Sequence, residues 1–198
     1  VEETAVLTAA ATYTAQITAN TDTPYTVKHL QQDVAGDGYT EVTADRENKT
    51  GTTDTQTIAA AKAYEGFTAQ TVTQANIAGD GSTVVEIRYD RNTFDVTLVN
   101  GTESKTIEGV RYGASAAVLY ADENVPAKQG YAFAGWYTSE NAKVEETAVL
   151  TAAATYTAQF TANTDTPYKV EYYLEALDGS YAIAAEETQN LTGTTDAT

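Results

Sequence analysis

Val1–Tyr25 reads VEETAVLTAAATYTAQITANTDTPY, and Val144–Tyr168 reads VEETAVLTAAATYTAQFTANTDTPY. The blocks differ only at Ile17 against Phe160, and Val1 answers to Val144 across 143 residues. Likeness continues more weakly beyond them: Val27 answers to Val170, and Thr50–Asp54 (TGTTD) recurs as Thr192–Asp196 at a spacing of 142. The lost residue falls where Gly36-Asp37-Gly38-Tyr39 meets Asp178-Gly179-Ser180-Tyr181, a turn in which length changes cost little. A period this long exceeds one solenoid unit and suits two alternating domains of about 70 residues each. The expected organisation is the tail of one module (1–22), two whole modules (23–91 and 92–165) and the head of another (166–198). The linkers Ala19–Pro24 and Ala162–Pro167 are short and polar, each with a proline that cannot continue a strand ladder.

Composition points the same way. Tyr (14 residues), Val and Thr are plentiful, as pleated, half-buried surfaces prefer, while helix-forming Leu is thin. Regular strand patterns along the chain argue against intrinsic disorder. There is no Cys, which removes disulfides, thiolate metal sites and a thiol nucleophile. The net charge of −17, spread along the chain, repels nucleic acid and anionic lipid. No apolar run has the length of a membrane span, and no signal peptide or anchor is expected within these residues. Lacking an initial Met, the numbering is expected to begin inside a longer gene product.

The module with the single histidine alternates over Tyr25–Gln31, turns at Asp37-Gly38 and returns over Tyr39–Thr43. Thr57–Ala63 has the only helical composition. Phe67–Ile77 alternates again, Asp80-Gly81-Ser82 turns, and Thr83–Tyr89 closes the module as a strand. Strand, strand, short helix, strand, strand is the order of a β-grasp. The module with the single tryptophan opens with Thr93–Val99 and an Asn100-Gly101 hairpin turn, returns over Thr106–Val110, passes a loop-rich middle, and finishes with Gly130–Tyr137 and Tyr156–Phe160.

Val99-Asn100-Gly101, Val110–Gly113, Pro126, Gly130-Tyr131-Ala132-Phe133-Ala134-Gly135-Trp136-Tyr137 and Tyr156–Phe160 together resemble the Listeria–Bacteroides repeat, which includes the internalin-type B repeats. The resemblance covers 92–162 and, through the copied block, the 1–17 tail. It departs at Thr102, where a second Gly is usual, and at Phe160, where Trp often stands. Residues 24–91 and the 167–198 head look like mucin-binding-protein repeats, more loosely, through Tyr25, Val27, Gly66-Phe67, Asp80–Val85 and Tyr89. Both resemblances imply ubiquitin-like β-grasp folds on extracellular, wall-anchored or secreted proteins of Gram-positive type, with adhesion as the usual role. The fold expectation is therefore a mostly β or α+β tandem array of small β-grasp modules.

Little in the chain suggests catalysis, and no enzyme activity is expected. The one histidine, His29, answers to Tyr172, so a triad or a His-based metal site resting on it would be lost in the other copy. Glu2-Glu3, Glu145-Glu146 and Glu186-Glu187 read as solvated edge charges, because adjacent side chains on a strand face opposite ways. Asp33–Gly38 and Gly79-Asp80-Gly81 lack the full spacing of a calcium loop, and no metal or cofactor is expected. Trp136 reads as core, with Tyr131 and Phe133 on the opposite face of their strand. Tyr112, Tyr120 and Tyr137 are the candidate ligand contacts. Lys28 and Lys105 hold strand positions from which an isopeptide bond to Asn is conceivable. The expected role is an adhesion-associated stalk whose partners are host or bacterial glycoconjugates and neighbouring repeats. A passive spacer, or an array that self-associates into fibres, is the alternative.

Overall fold

The computed structural model describes residues 10 and 12–197. The chain divides at Asp90/Arg91 into two compact units. It is mostly β, 46% strand against 7% helix, in several small sheets.

In the first unit, β1 (Thr23–Gln32) is central. It pairs with β2 (Tyr39–Glu41) at one end and β3 (Glu47–Gly51) at the other, both antiparallel. The strand β4 (Phe67–Ala69) lies beyond β5 (Val84–Arg91), giving the order β2-β1-β5-β4. β1 and β5 run parallel, with Val27 beside Val85 and His29 beside Ile87. Their alternation places Tyr25, Val27, Val85, Ile87 and Tyr89 in one core, closed by Ile77 and Ala59.

The helix expected over Thr57–Ala63 does not form. Seven residues give a weak helical nucleus, and here the backbone finds better partners. Ala59 N–H donates to Gln74 Oε1 at 2.9 Å while Gln74 Nε2 donates to Ala59 O at 2.8 Å. Thr57 and Ala59 are buried and Ile58 and Ala60 exposed, the two-residue rhythm of extended chain. The Gln74 amide thus pins a strand-like segment to the stretch that follows β4. Of the expected Phe67–Ile77 strand, only β4 is regular.

In the second unit, β6 (Thr93–Asn100) and β7 (Glu103–Arg111) form the expected hairpin. Asn100 pairs with Glu103, so the two turn residues are Gly101 and Thr102 rather than Asn100 and Gly101. Gly101 at φ 62° supplies the positive φ that a type II′ turn needs at its first central position. A short β8 (Ala114–Ser115) precedes 3₁₀ turns at Ala116–Tyr120 and Asp122–Asn124. Then come β9 (Tyr131–Tyr137), β10 (Val149–Leu150), which pairs with β8, and β11 (Ala154–Ala162). The main sheet runs β7-β6-β11-β9, again with a parallel pair, β6 and β11. Val96, Leu98, Leu119, Trp136, Leu150 and Tyr156 make its core.

The remaining residues of this unit form two small ladders. β12 (Thr166–Val170) pairs with β15 (Gln189–Gly193), and β13 (Tyr173–Glu175) with β14 (Tyr181–Ile183). The β12–β15 register reproduces β1–β3, Thr166 facing Gly193 as Thr23 faces Gly51. Among the described residues no counterpart of β5 joins this ladder, and Tyr168 is 50% exposed where Tyr25 is 4%.

The duplicated block takes two conformations. Tyr156, on β11, is 9% exposed, whereas its copy Tyr13 is 59% exposed in chain without regular structure. Residues 1–9 and 11 of the expected 1–22 tail lie outside the described residues. A strand is made by its neighbours as much as by its own sequence, and β11 has β6 and β9 beside it.

Candidate functional site

Two constellations carry chemistry, one in each unit. The first centres on His29, fully buried on the core face of β1. Its Nδ1 lies 2.6 Å from the Tyr89 hydroxyl and its Nε2 3.0 Å from Glu47 Oε1. The Tyr89 hydroxyl also accepts the Lys62 backbone N–H at 2.9 Å. The network allots the hydrogens: Tyr89 donates to Nδ1, and Nε2–H donates to Glu47. Tyr64 stands edge-on to Tyr89, with ring centres 4.7 Å apart, and walls the imidazole from the other side.

Carboxylates and amines surround this aromatic cluster. Glu47 receives Lys49 Nζ at 2.8 Å, with Lys62 Nζ at 3.7 Å. The hydrogen bond from Lys49, then that from His29, lowers its pKa to about 2. Asp45 accepts the Tyr64 hydroxyl at 2.7 Å and Lys62 Nζ at 3.1 Å, and those contacts lower its pKa. Burial, then the Asp45 bond, pushes Tyr64 well above the ordinary phenol range. Both ring nitrogens of His29 are spent inside the module, so this cluster ties β1, β3, β5 and the 57–64 segment together. Sequence reading placed His29 on a strand but missed Glu47. A signal existed: where His29 becomes Tyr172, Glu47 becomes Gln189, so the pair changes together between copies.

The second constellation surrounds Trp136, 2% exposed, whose indole N–H donates to Leu119 O at 2.8 Å. Phe133 stacks edge-on at 5.4 Å, on the same side of the strand as Trp136. The expectation that they face opposite ways fails because β9 carries a bulge. Trp136 faces Ala158 and Gly135 faces Gln159, but Phe133 faces Phe160, leaving Ala134 as an extra residue. Gly135, at φ 135°, makes the bulge possible. Beside the indole lies a cleft of about 170 Å³ lined by Leu98, Lys105, Glu123, Asn124 and Pro126, among others. Lys105 Nζ donates to Glu123 O at 2.7 Å along its wall. Asn124 donates Nδ2 to Val118 O at 2.7 Å, while its buried Oδ1 has no partner in the protein.

The three candidate tyrosines occupy separate posts. Tyr120 turns inward: its hydroxyl donates to Val144 O and accepts the Trp136 backbone N–H at 3.3 Å, so it props the bulge. Tyr112 sits half-buried in the turn after β7, its carbonyl accepting Arg91 Nη1 at 2.9 Å. Tyr137, half-buried on β9, faces Thr157 across the ladder.

Lys105 is exposed and Lys28 half-buried on the face of β1 away from the core. Glu145-Glu146 occupy a loop and Glu186-Glu187 a 3₁₀ turn, not strands as expected; Glu2-Glu3 lie outside the described residues. Asp80 folds back on Ser82, accepting its N–H at 3.0 Å and its hydroxyl at 2.6 Å. Among the described residues no group of three or more acidic, His or Cys side chains is placed to hold a metal.

No curated protein matches the chain. Residues 92–167 match the family model of the Listeria-Bacteroides repeat domain, a repeat found in bacterial surface proteins.

Proposed function

We propose that this chain is a repeat segment of a bacterial cell-surface protein serving as an adhesion-associated stalk, built from two alternating β-grasp-type modules. The observation that carries the reading is the duplicated block, 25 residues with one difference, one copy of which spans the end of a Listeria-Bacteroides repeat and the following linker. Near-identical copies add length and, where each binds weakly, avidity. The central parallel pairs β1/β5 and β6/β11 support the β-grasp comparison, with an extended segment standing where the helix of that fold would lie. For residues 23–91, likeness to mucin-binding-protein repeats favours glycoconjugate partners.

One observation favours a ligand-binding role over a passive one: the cleft beside Trp136 sets Leu98, Val125 and Pro126 next to Lys105, Glu123 and Asn124. Apolar walls with a few polar side chains are the kind of surface that takes a sugar. The test is binding of the chain, singly and as a multi-unit array, to a panel of mucins and glycans, with calcium and with chelator. Saturable binding to particular glycans supports the adhesive stalk. Absence of binding by a folded array leaves a spacer, the second reading.

A further inference from the structure

The second unit contains a joint between modules. Thr195 Oγ1 donates to Gly130 O at 2.7 Å, and Asn163 N–H donates to the same carbonyl at 2.8 Å. Thr195 N–H in turn donates to Asn163 O at 2.9 Å, and Thr195 Oγ1 meets Thr166 Oγ1 at 2.6 Å. Asp196, held at φ 57°, accepts the Tyr131 hydroxyl, while Lys128 Nζ lies 3.7 Å over the Tyr131 ring. Gly130 is required: at φ 79°, a Cβ would fall 2.8 Å and 2.9 Å from the Thr195 side chain. The Gly130-Tyr131 turn, the linker and the Thr195-Asp196 turn thus lock one module to the head of the next.

Half of this joint is built a second time. In the first unit Thr53 N–H donates to Asn20 O at 2.8 Å, and Thr23 Oγ1 meets Thr53 Oγ1 at 2.7 Å. Asp54 holds φ 67°, in the left-handed region that costs a non-glycine residue energy, and its side chain is exposed. Asn20, Thr23, Thr53 and Asp54 are the repeat-mates of Asn163, Thr166, Thr195 and Asp196. The same linker contacts and backbone conformation therefore recur where the Gly-Tyr turn is the one missing component.

We propose that the Thr53–Asp54 turn is a docking face for the Gly130-Tyr131 turn of a preceding copy of the tryptophan module. Every junction of this type in the array is then a pinned joint: the tyrosine donates to the aspartate and the threonine donates to the glycine carbonyl. The inference concerns the stiffness of the array and does not depend on whether it binds a ligand.

The experiment joins a second copy of residues 92–143 ahead of Val1, recreating upstream the order that already runs from 92 to 168. The chain has no cysteine, so spin labels go only where cysteines are introduced. We would use Ser139→Cys in the added copy and Glu65→Cys in the first histidine module, and read their separation by pulsed electron paramagnetic resonance. The expected result is one narrow distance distribution, broadened at least twofold by Gly130→Ala or Tyr131→Phe in the added copy. Neither substitution lies within the histidine module, whose unfolding transition checks that it stays folded. A broad distribution in the parent chain overturns the proposal, and so does a width that neither substitution changes.

Discussion

His29 Nδ1 and the Tyr89 hydroxyl sit 2.6 Å apart across the central parallel pair of the first unit, their rings tilted by 33°. Tyr89 also serves the Lys62 amide, so its hydroxyl satisfies two buried groups at once. Tyr89→Phe keeps the ring and strands both, at about 1–3 kcal/mol by the usual cost of an unmade buried hydrogen bond. His29→Ala removes a buried ring with two hydrogen bonds and is expected to cost more, about 3–5 kcal/mol. Denaturant unfolding followed through the tyrosine signal measures both. If Tyr89→Phe were as stable as the parent, the hydroxyl would not be the bridge assigned to it.

Glu47 gives the first module an acid-sensitive contact. Its folded pKa of about 2 is below the ordinary carboxylate value of 4.5. A depressed folded pKa adds stability that is fully present above the unfolded value and lost as pH falls towards the folded one. The stabilising effect is therefore present above about pH 5 and drains away between pH 4.5 and 2. In Glu47→Gln the acid limb of stability against pH should be shallower than in the parent. Chemical denaturation at a series of pH values tests this, and parallel acid limbs would remove Glu47 from the account. Lys49→Ala should act in the same direction, since the Lys49 hydrogen bond is the larger cause of the shift.

How much of this was legible beforehand depended on the range of the interaction. The hairpin β6–β7, the closing strands β5 and β11 and the core position of Trp136 follow from local alternation and turn residues, which a sequence displays directly. The Thr57–Ala63 segment misled because its alanines favour a helix locally, while Gln74, far along the chain, supplies partners that only the folded state brings near. Phe133 and Trp136 share a side because one bulge residue resets the two-residue alternation. Gly135 marked the place without revealing its effect. The joint at Thr195 was invisible for a different reason: its residues are ordinary turn formers, and only their superposition on Thr53 and Asp54 shows a repeated contact.

Gly135 makes a sharp test of the second module. An added Cβ would lie 2.8 Å from Lys143 Cε, which can move, and 3.3 Å from the Tyr120 hydroxyl, which is held by Val144 O. The φ of 135° is a further cost for any L side chain. Gly135→Ala should destabilise the module by about 1–3 kcal/mol, the scale of stored backbone strain. Trp136 is the sole tryptophan, so its fluorescence reports this module alone. A transition midpoint unchanged from the parent would mean that the bulge tolerates a side chain.

The 166–193 ladder offers the last test, because a related stretch with the same β1–β3 register stands in a complete sheet at 23–51. In β1, Tyr25 and Val27 are buried in the core that Ala59 and Ile77 close, and β1 has hydrogen-bonded neighbours on both edges. β12 has β15 on one edge, and among the described residues no strand pairs with the other as β5 does with β1; Tyr168, Tyr172, Leu174 and Leu191 are exposed. An isolated two-stranded ladder is only marginally stable in water, whereas a strand inside a sheet opens with the whole module. Amide exchange should therefore be at least about 100-fold faster at Tyr168–Tyr172 than at Tyr25–His29, a difference of roughly 3 kcal/mol in opening free energy. The joint at Thr195 is expected to slow exchange locally, so that the Thr195 amide is better protected than those of Tyr173–Glu175. Residue-resolved exchange on the monomeric chain reads both ratios at once. Equal protection of the two ladders would show that 166–198 borrows a partner strand, and a dependence on chain concentration would identify that partner as a second copy of the chain.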